Sequence, residues 1–324
     1  VIVERALAAL AIGAALAAAW GQAGAPLARS VREGRPWLAW VEAHERGRGR
    51  EAPEFLLASY DGAAPRLILL DIPPDTKLEP RRSVERAYAE ALSAAGDESA
   101  AARAAEGLIE ARLRALSPET IPRVDGRLSV ELAPLTEADE PCVETAAGLE
   151  SLARSPLALA RALRAAAAGL LRGDRAALDP ALFLLELGRV GSGALEPARL
   201  PDEAQAPGLL ARLFAAEAPP GDGRGITAEV LNGAAESGLA SRAAKMLRWK
   251  GVDVLAIGAG RPRARTLVYD RVGDFRRAAA VRAALACPSA RAATRVDSAR
   301  AVDVSVELGA DCAAAAGSED VAQP

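Results

Sequence analysis

Between residues 226 and 309 short Val/Ile/Leu runs alternate with Ala/Arg segments of helical length, an order few folds accommodate. "ITAEVLN" (226–232), "VDVLAIG" (252–258), "RTLVYDR" (265–271) and "AVDVSVELG" (301–309) have the length and content of strands. "SGLASRAAKMLRWKG" (237–251) puts Leu239, Ala243, Met246 and Leu247 on one helical face and closes on Gly251. "DFRRAAAVRAALA" (274–286) is a second helix, with Asp274 as its cap. The order is βαββαβ. It predicts a small ferredoxin-like sandwich, two helices packed on one four-stranded sheet.

The preceding part predicts a second, layered α/β domain over about residues 35–200. "PWLAWVEAH" (36–44) reads as a strand, and "EFLLASYD" (54–61) and "RLILLDI" (66–72) read as a hairpin turning at 62–65. Pro73 and Pro74 end the second strand of that hairpin, because proline cannot donate to a ladder. Helices are predicted over 84–96, 99–117, 155–173 and 179–191, with a short strand at 126–134 between them. Ser155 then Pro156, and Asp179 then Pro180, are cap-and-first-turn signals. Residues 201–224 read as a linker with one helix over 208–218, ending in "PPGDGRG". Residues 225–312 form the C-terminal domain and 313–324 a flexible tail.

Composition narrows the function classes. Aromatics are only 3% of 324 residues while hydrophobics are 51%, so alanine supplies much of the core and burial per residue is shallow. A net charge of -3 is no footprint for nucleic acid. With one histidine, His44, and cysteines only at 142, 287 and 312, no zinc-ligand spacing exists. The cysteines read as three unpaired thiols, and no metal site is expected. No catalytic triad is identifiable either. The apolar run "ALAALAIGAALAAAW" (6–20) is shorter than a full bilayer span. Residues 1–24 read as a signal or membrane anchor, with a buried alanine helix as the other arrangement the run allows.

"FLLASYDGAAPRLILLDIPPDTKL" followed by "VERAYAEA" resembles the start of a LytR-CpsA-Psr domain. That resemblance implies an outward-facing, membrane-anchored bacterial protein that transfers glycopolymers from a polyprenyl-pyrophosphate carrier. Arginines would hold the pyrophosphate and aspartates a Mg2+ ion. The departures are informative. Pro74 stands where the family's arginine would sit, while Asp75, Thr76 and Lys77 remain. Glu51 and Pro53 replace an arginine and an aspartate, and Ser83 and Glu85 a lysine and an asparagine. A proline donates nothing to a phosphate and a glutamate repels it, so this part reads as degenerate. "EVLNGAAESGLASRAAKMLRWKGVDVLAIG", "TLVYDRVGD" and "DVSVELGAD" resemble the LytR C-terminal domain over nearly all of 226–311. That resemblance implies a cell-envelope module not known for catalysis.

The sequence therefore predicts a LytR-type protein at the bacterial cell membrane, most of it extracytoplasmic. It would be non-catalytic, binding or scaffolding a wall polymer, a lipid pyrophosphate or an envelope protein. The alternative is an active glycopolymer phosphotransferase, which alone would require Mg2+. The remnant catalytic candidates are Asp75 and Lys77. The ligand-binding candidates are Thr76, Arg81 and Arg82, with Asn232, Gly233 and Gly238 as an anion cradle ahead of a helix. Arg261, Arg263 and Arg265 form a basic cluster read as a solvated loop. Catalysis would need arginines and at least two carboxylates in one pocket; scaffolding predicts no such pocket, with Asp75 and Lys77 simply paired or solvated.

Overall fold

A computed structural model describes residues 25–45, 52–118, 121, 123–132, 140–172, 175–191, 194–214, 225–285 and 287–312. The predicted signal or anchor (1–24) and tail (313–324) lie outside the described residues. In chain order the elements are α1 (Pro26–Glu33), β1 (Trp37–Glu45), β2 (Glu54–Asp61), β3 (Arg66–Ile72), β4 (Lys77–Glu79) and β5 (Arg82–Ser83). Then come α2 (Val84–Ala95), α3 (Glu98–Leu116), β6 (Gly126–Leu132), α4 (Pro141–Ala153), α5 (Pro156–Leu171), a 3-10 turn (Arg175–Leu178) and α6 (Asp179–Leu187). The rest are β7 (Leu195–Arg199), α7 (Ala206–Phe214), β8 (Thr227–Asn232), α8 (Leu239–Trp249), β9 (Asp253–Ala259), β10 (Leu267–Asp270), α9 (Phe275–Ala284), β11 (Arg291–Thr294) and β12 (Val304–Leu308).

Ten of these strands make one mixed sheet in the order β6-β1-β2-β3-β7-β11-β10-β12-β8-β9. The predicted hairpin is present: β2 and β3 pair antiparallel from Phe55↔Ile72 to Asp61↔Arg66. From β3 onward, β3, β7, β11 and β10 are all parallel. Alternate residues of β3 therefore face two different cores. Leu67 and Leu69 pack with Leu27 of α1, Val143 and Leu149 of α4, and Phe183 of α6. Ile68, Leu70 and Ile72 pack on the other face, with Tyr88 of α2, Ile109 of α3 and Leu209 of α7. The fold class is the predicted layered α/β.

The C-terminal half corrects the predicted pairing. Its helices and strands follow in the predicted order, with β11 added, but β8 and β9 lie side by side and parallel. Helix α8 is thus the crossover of a direct βαβ unit, whereas a ferredoxin-like split unit would place another strand between them. Short β11, "RAAT", has almost no β-branched content and therefore no pattern signal. It still joins the two halves of the sheet, pairing with β10 and, at Thr294↔Ala198, with β7. Alanine suffices there because both faces of β11 are covered.

Other local readings differ for similar reasons. Within the predicted linker, α7 buries Leu209, Leu210 and Leu213 in the second core; residues 215–224 lie outside the described residues. Ser155 accepts from the Ala158 amide as a cap should. Asp179 instead is the first residue of α6 and accepts from the Leu27 amide, tying α1 to α6. The reading of three free thiols fails: Cys287 and Cys312 form a disulfide, while Cys142 is free and buried. Nothing in the spacing of two isolated cysteines announces a bridge.

Gly233 is the one glycine whose lack of a side chain matters most. A Cβ there would sit 2.3 Å from the Arg261 carbonyl oxygen and 2.8 Å from that of Leu308. Backbone cannot yield as a side chain can, so Gly233→Ala is expected to lower stability by about 1–3 kcal/mol in urea unfolding. An unchanged midpoint would show that the 260–263 segment moves freely.

Candidate functional site: a charged cleft at the seam of the sheet

Ligand sites in open α/β sheets lie beyond the carboxyl ends of parallel strands. Here β3, β7 and β11 end together, and the segments that follow them line one cleft of about 620 Å³. Pro73, Asp75, Thr76 and Lys77 come after β3, Leu200 to Glu203, Gln205 and Ala206 after β7, and Arg295, Val296 and Asp297 after β11. Arg112 of α3 and Arg199 complete it. The two predicted remnant catalytic residues, Asp75 and Lys77, both lie on this cleft.

The turn at 73–76 is held by backbone bonds. The Pro74 carbonyl accepts from the Glu85 amide at 3.0 Å, and that of Thr76 from the Val84 amide at 3.1 Å. Ser83 in turn caps α2 through the Arg86 amide. Pro74 therefore serves as a brace between strand and helix, a role that needs no side-chain donor. Asp75 and Lys77 are exposed and lie on the cleft wall; neither is in an ion pair among the described residues.

The strongest cations were not legible in the sequence. Asp71 pairs in register with Arg199, Thr294 with Ala198, and Asp270 with Thr294. The next residues, Arg295 and Arg271, extend the same row. One Asp and three Arg thus stand side by side across four parallel strands. Glu140, ahead of α4, closes the row: it accepts from Arg295 at 2.7 Å, from the Tyr269 hydroxyl at 3.1 Å and from Arg199 at 3.5 Å. Tyr269 is buried, with the Arg271 guanidinium 4.8 Å from its ring centre and those of Arg263 and Arg295 at 5.9 Å. Arg112 pairs with the exposed Glu203 at 2.7 Å. Only strand register could have found these residues, since more than 90 positions separate Arg199 from Arg295 and no local motif marks either.

Burial sets the titration here. Asp71 is 1% exposed, its Oδ1 has no hydrogen-bond partner, and burial pushes its pKa up to about 8, with Glu54 adding to the shift and Arg199 opposing it. Burial likewise holds the Cys142 thiol protonated, so it is no nucleophile. Burial opposes the charge on Arg199, but Asp71 and Glu140 outweigh it and its pKa is raised.

The remaining predicted residues are elsewhere. Arg81 and Arg82 sit on a separate shallow surface with Glu79, Pro80, Arg86 and Glu90, and Arg82 pairs with Glu90 at 3.0 Å. Asn232 spends its side chain locally, accepting from the Ala234 amide and donating to the Glu236 carbonyl. Gly238 precedes α8 at φ 78°, and the Gly233 amide bonds the Leu308 carbonyl. The basic cluster on the 261–265 loop is less solvated than expected: Arg263 pairs with Glu307 and Arg265 with Glu144 of α4. Among the described residues, the one trio of metal-type ligand atoms close enough to share an ion is Cys287, Asp311 and Cys312. Its sulfurs are tied in the disulfide. Among the described residues the cleft carboxylates form no such trio.

Residues 225–311 match the family described as LytR cell envelope-related transcriptional attenuator. They are a LytR C-terminal domain. No curated protein and no solved structure matches the chain. The match to the LytR domain does not reach residues 35–200. The LytR domain is bound to the rest of the chain by more than sequence: Glu140 just ahead of α4, and Glu144 and Glu150 on it, pair with its Arg295, Arg265 and Arg291. It also supplies one wall of the cleft.

Proposed function

We propose that this is a non-catalytic envelope protein that holds a phosphate-bearing wall polymer or lipid in the seam cleft. The observation that carries the reading is the convergence of Lys77, Arg112, Arg199 and Arg295 on one opening built by both halves of the chain. Guanidinium forks match phosphate oxygens, and an exposed partner such as Glu203 can swing away when a stronger anion arrives. The disulfide supports an extracytoplasmic place for the bulk of the chain. In this reading residues 1–24 attach it to the membrane, and nucleic acid is not a partner.

A second reading, phosphotransfer, is favoured by one observation: Asp75, Asp202, Glu203 and Asp297 line the same cleft as the four cations. Calorimetry with inorganic pyrophosphate and with polyprenyl pyrophosphate, each with and without Mg2+, separates the two. We expect binding without release of phosphate. An Arg112→Gln/Arg295→Gln chain should bind at least about tenfold more weakly, because two charge-assisted bonds are lost. Mg2+-dependent turnover would establish the transferase; no binding by either ligand would remove both readings.

A further inference from the structure

We infer that helix α5 is a second membrane contact, a basic interfacial helix that lies on anionic phospholipid. Between Ser151 and Gly173 the chain has four arginines, at 154, 161, 164 and 172, and no acidic residue. All four are exposed, and none is in an ion pair among the described residues. The helix is also barely packed: of residues 156–168 only Ala166 is buried, and Leu157 and Leu163 are 59% and 48% exposed. An apolar, basic, unpartnered helix face fits a lipid interface, where leucines enter the acyl boundary and arginines stay among the phosphates.

Position names the occupant. Ala166 packs with Ala25 and Leu178, and Leu170 packs against the same cluster. Ala25 follows directly on the segment that holds the apolar run 6–20. Four residues lie between Trp20 and Ala25, and the five Cα steps reach at most about 18 Å when fully extended. If that run enters the bilayer, α5 is held within a short tether of the lipid surface. The inference rests on the anchoring of residues 1–24 and is independent of what the cleft binds.

The test uses the full chain with an environment-sensitive fluorophore on Ala160→Cys, and a control label on Ala256→Cys of β9, the far edge strand. Cys142 is buried and the other two cysteines are bridged, so labelling is confined to the new site. Vesicles of phosphatidylcholine alone are compared with vesicles containing phosphatidylglycerol. We expect the chain to float with both, with a blue shift at position 160 only on the anionic vesicles. The shift should reverse at high salt and be lost in Arg161→Gln/Arg164→Gln, whose α5–lipid equilibrium is weakened roughly 30-fold. Flotation without a shift would overturn the role of α5 and leave the anchor standing. Neither flotation nor shift would overturn both. A shift that needs no vesicles and grows with protein concentration would overturn it in favour of a second copy on that face.

Discussion

An Asp71→Asn chain is expected to be more stable than the parent at pH 7, by roughly 2–4 kcal/mol. The reason lies in burial. The folded chain keeps the Asp71 proton up to a pH of about 8, whereas an unfolded one loses it near 3.8, the ordinary value for an aspartate. The folded state therefore binds the extra proton throughout that window, and stability falls as the pH rises through it. The favourable contribution is fully present below pH 4 and is gone once the pH passes about 8. Asparagine keeps the shape and carries no charge, so it removes the slope. Urea unfolding at pH 5, 7 and 9 checks both parts. The gain should be small at pH 5 and largest at pH 9. A loss of stability at every pH would mean instead that Asp71 is ionised and held by Arg199, its register partner in β7.

The second large effect is expected from the disulfide. Replacing Cys287 and Cys312 together by serine releases a bridge spanning 25 positions. Loop-closure entropy for that length corresponds to about 3–4 kcal/mol of stability. The bridge ties the end of the described chain, just beyond β12, to the segment between α9 and β11. The loss should therefore be felt in the β10–β11 region that forms one wall of the cleft. Denaturant unfolding of the double variant, and of the parent with a reductant, should give the same lowered midpoint. Equal midpoints for variant and parent would show that the bridge does not form. A thiol reagent on the native parent should label no described cysteine, because Cys142 is 1% exposed and its thiol is held protonated by burial.

Much of this molecule is written locally. The strand runs at 54–61 and 66–72 are bounded by their own turn and prolines, and the structure has them at those residues. Helices α2, α3 and α5 lie within a residue or two of where periodicity and caps put them. The LytR C-terminal domain was recognisable from the same run of residues that the family comparison matches. What was missed has weak local signals. Helix α1, helix α4, β7 and β11 are short, or lie in Pro-, Gly- or Ala-rich stretches, and form because neighbours cover them. In the cleft, Asp75, Thr76 and Lys77 were legible only through the resemblance of "IPPDTK" to a family motif. Arg112, Arg199, Arg295 and Glu140 were not.

The sequence by itself determined the strongly patterned elements, the α/β class and the C-terminal domain, because hydrophobic period and turn chemistry act over a few residues. Tertiary structure alone decided which strands are neighbours. That choice turned a predicted ferredoxin-like sheet into half of a continuous one and placed Arg199 beside Arg295. It also brought Cys287 to Cys312. Strand pairing between distant segments depends on how two buried faces fit a common set of helices. No single segment carries that information, so the site built from it is visible only in the folded chain.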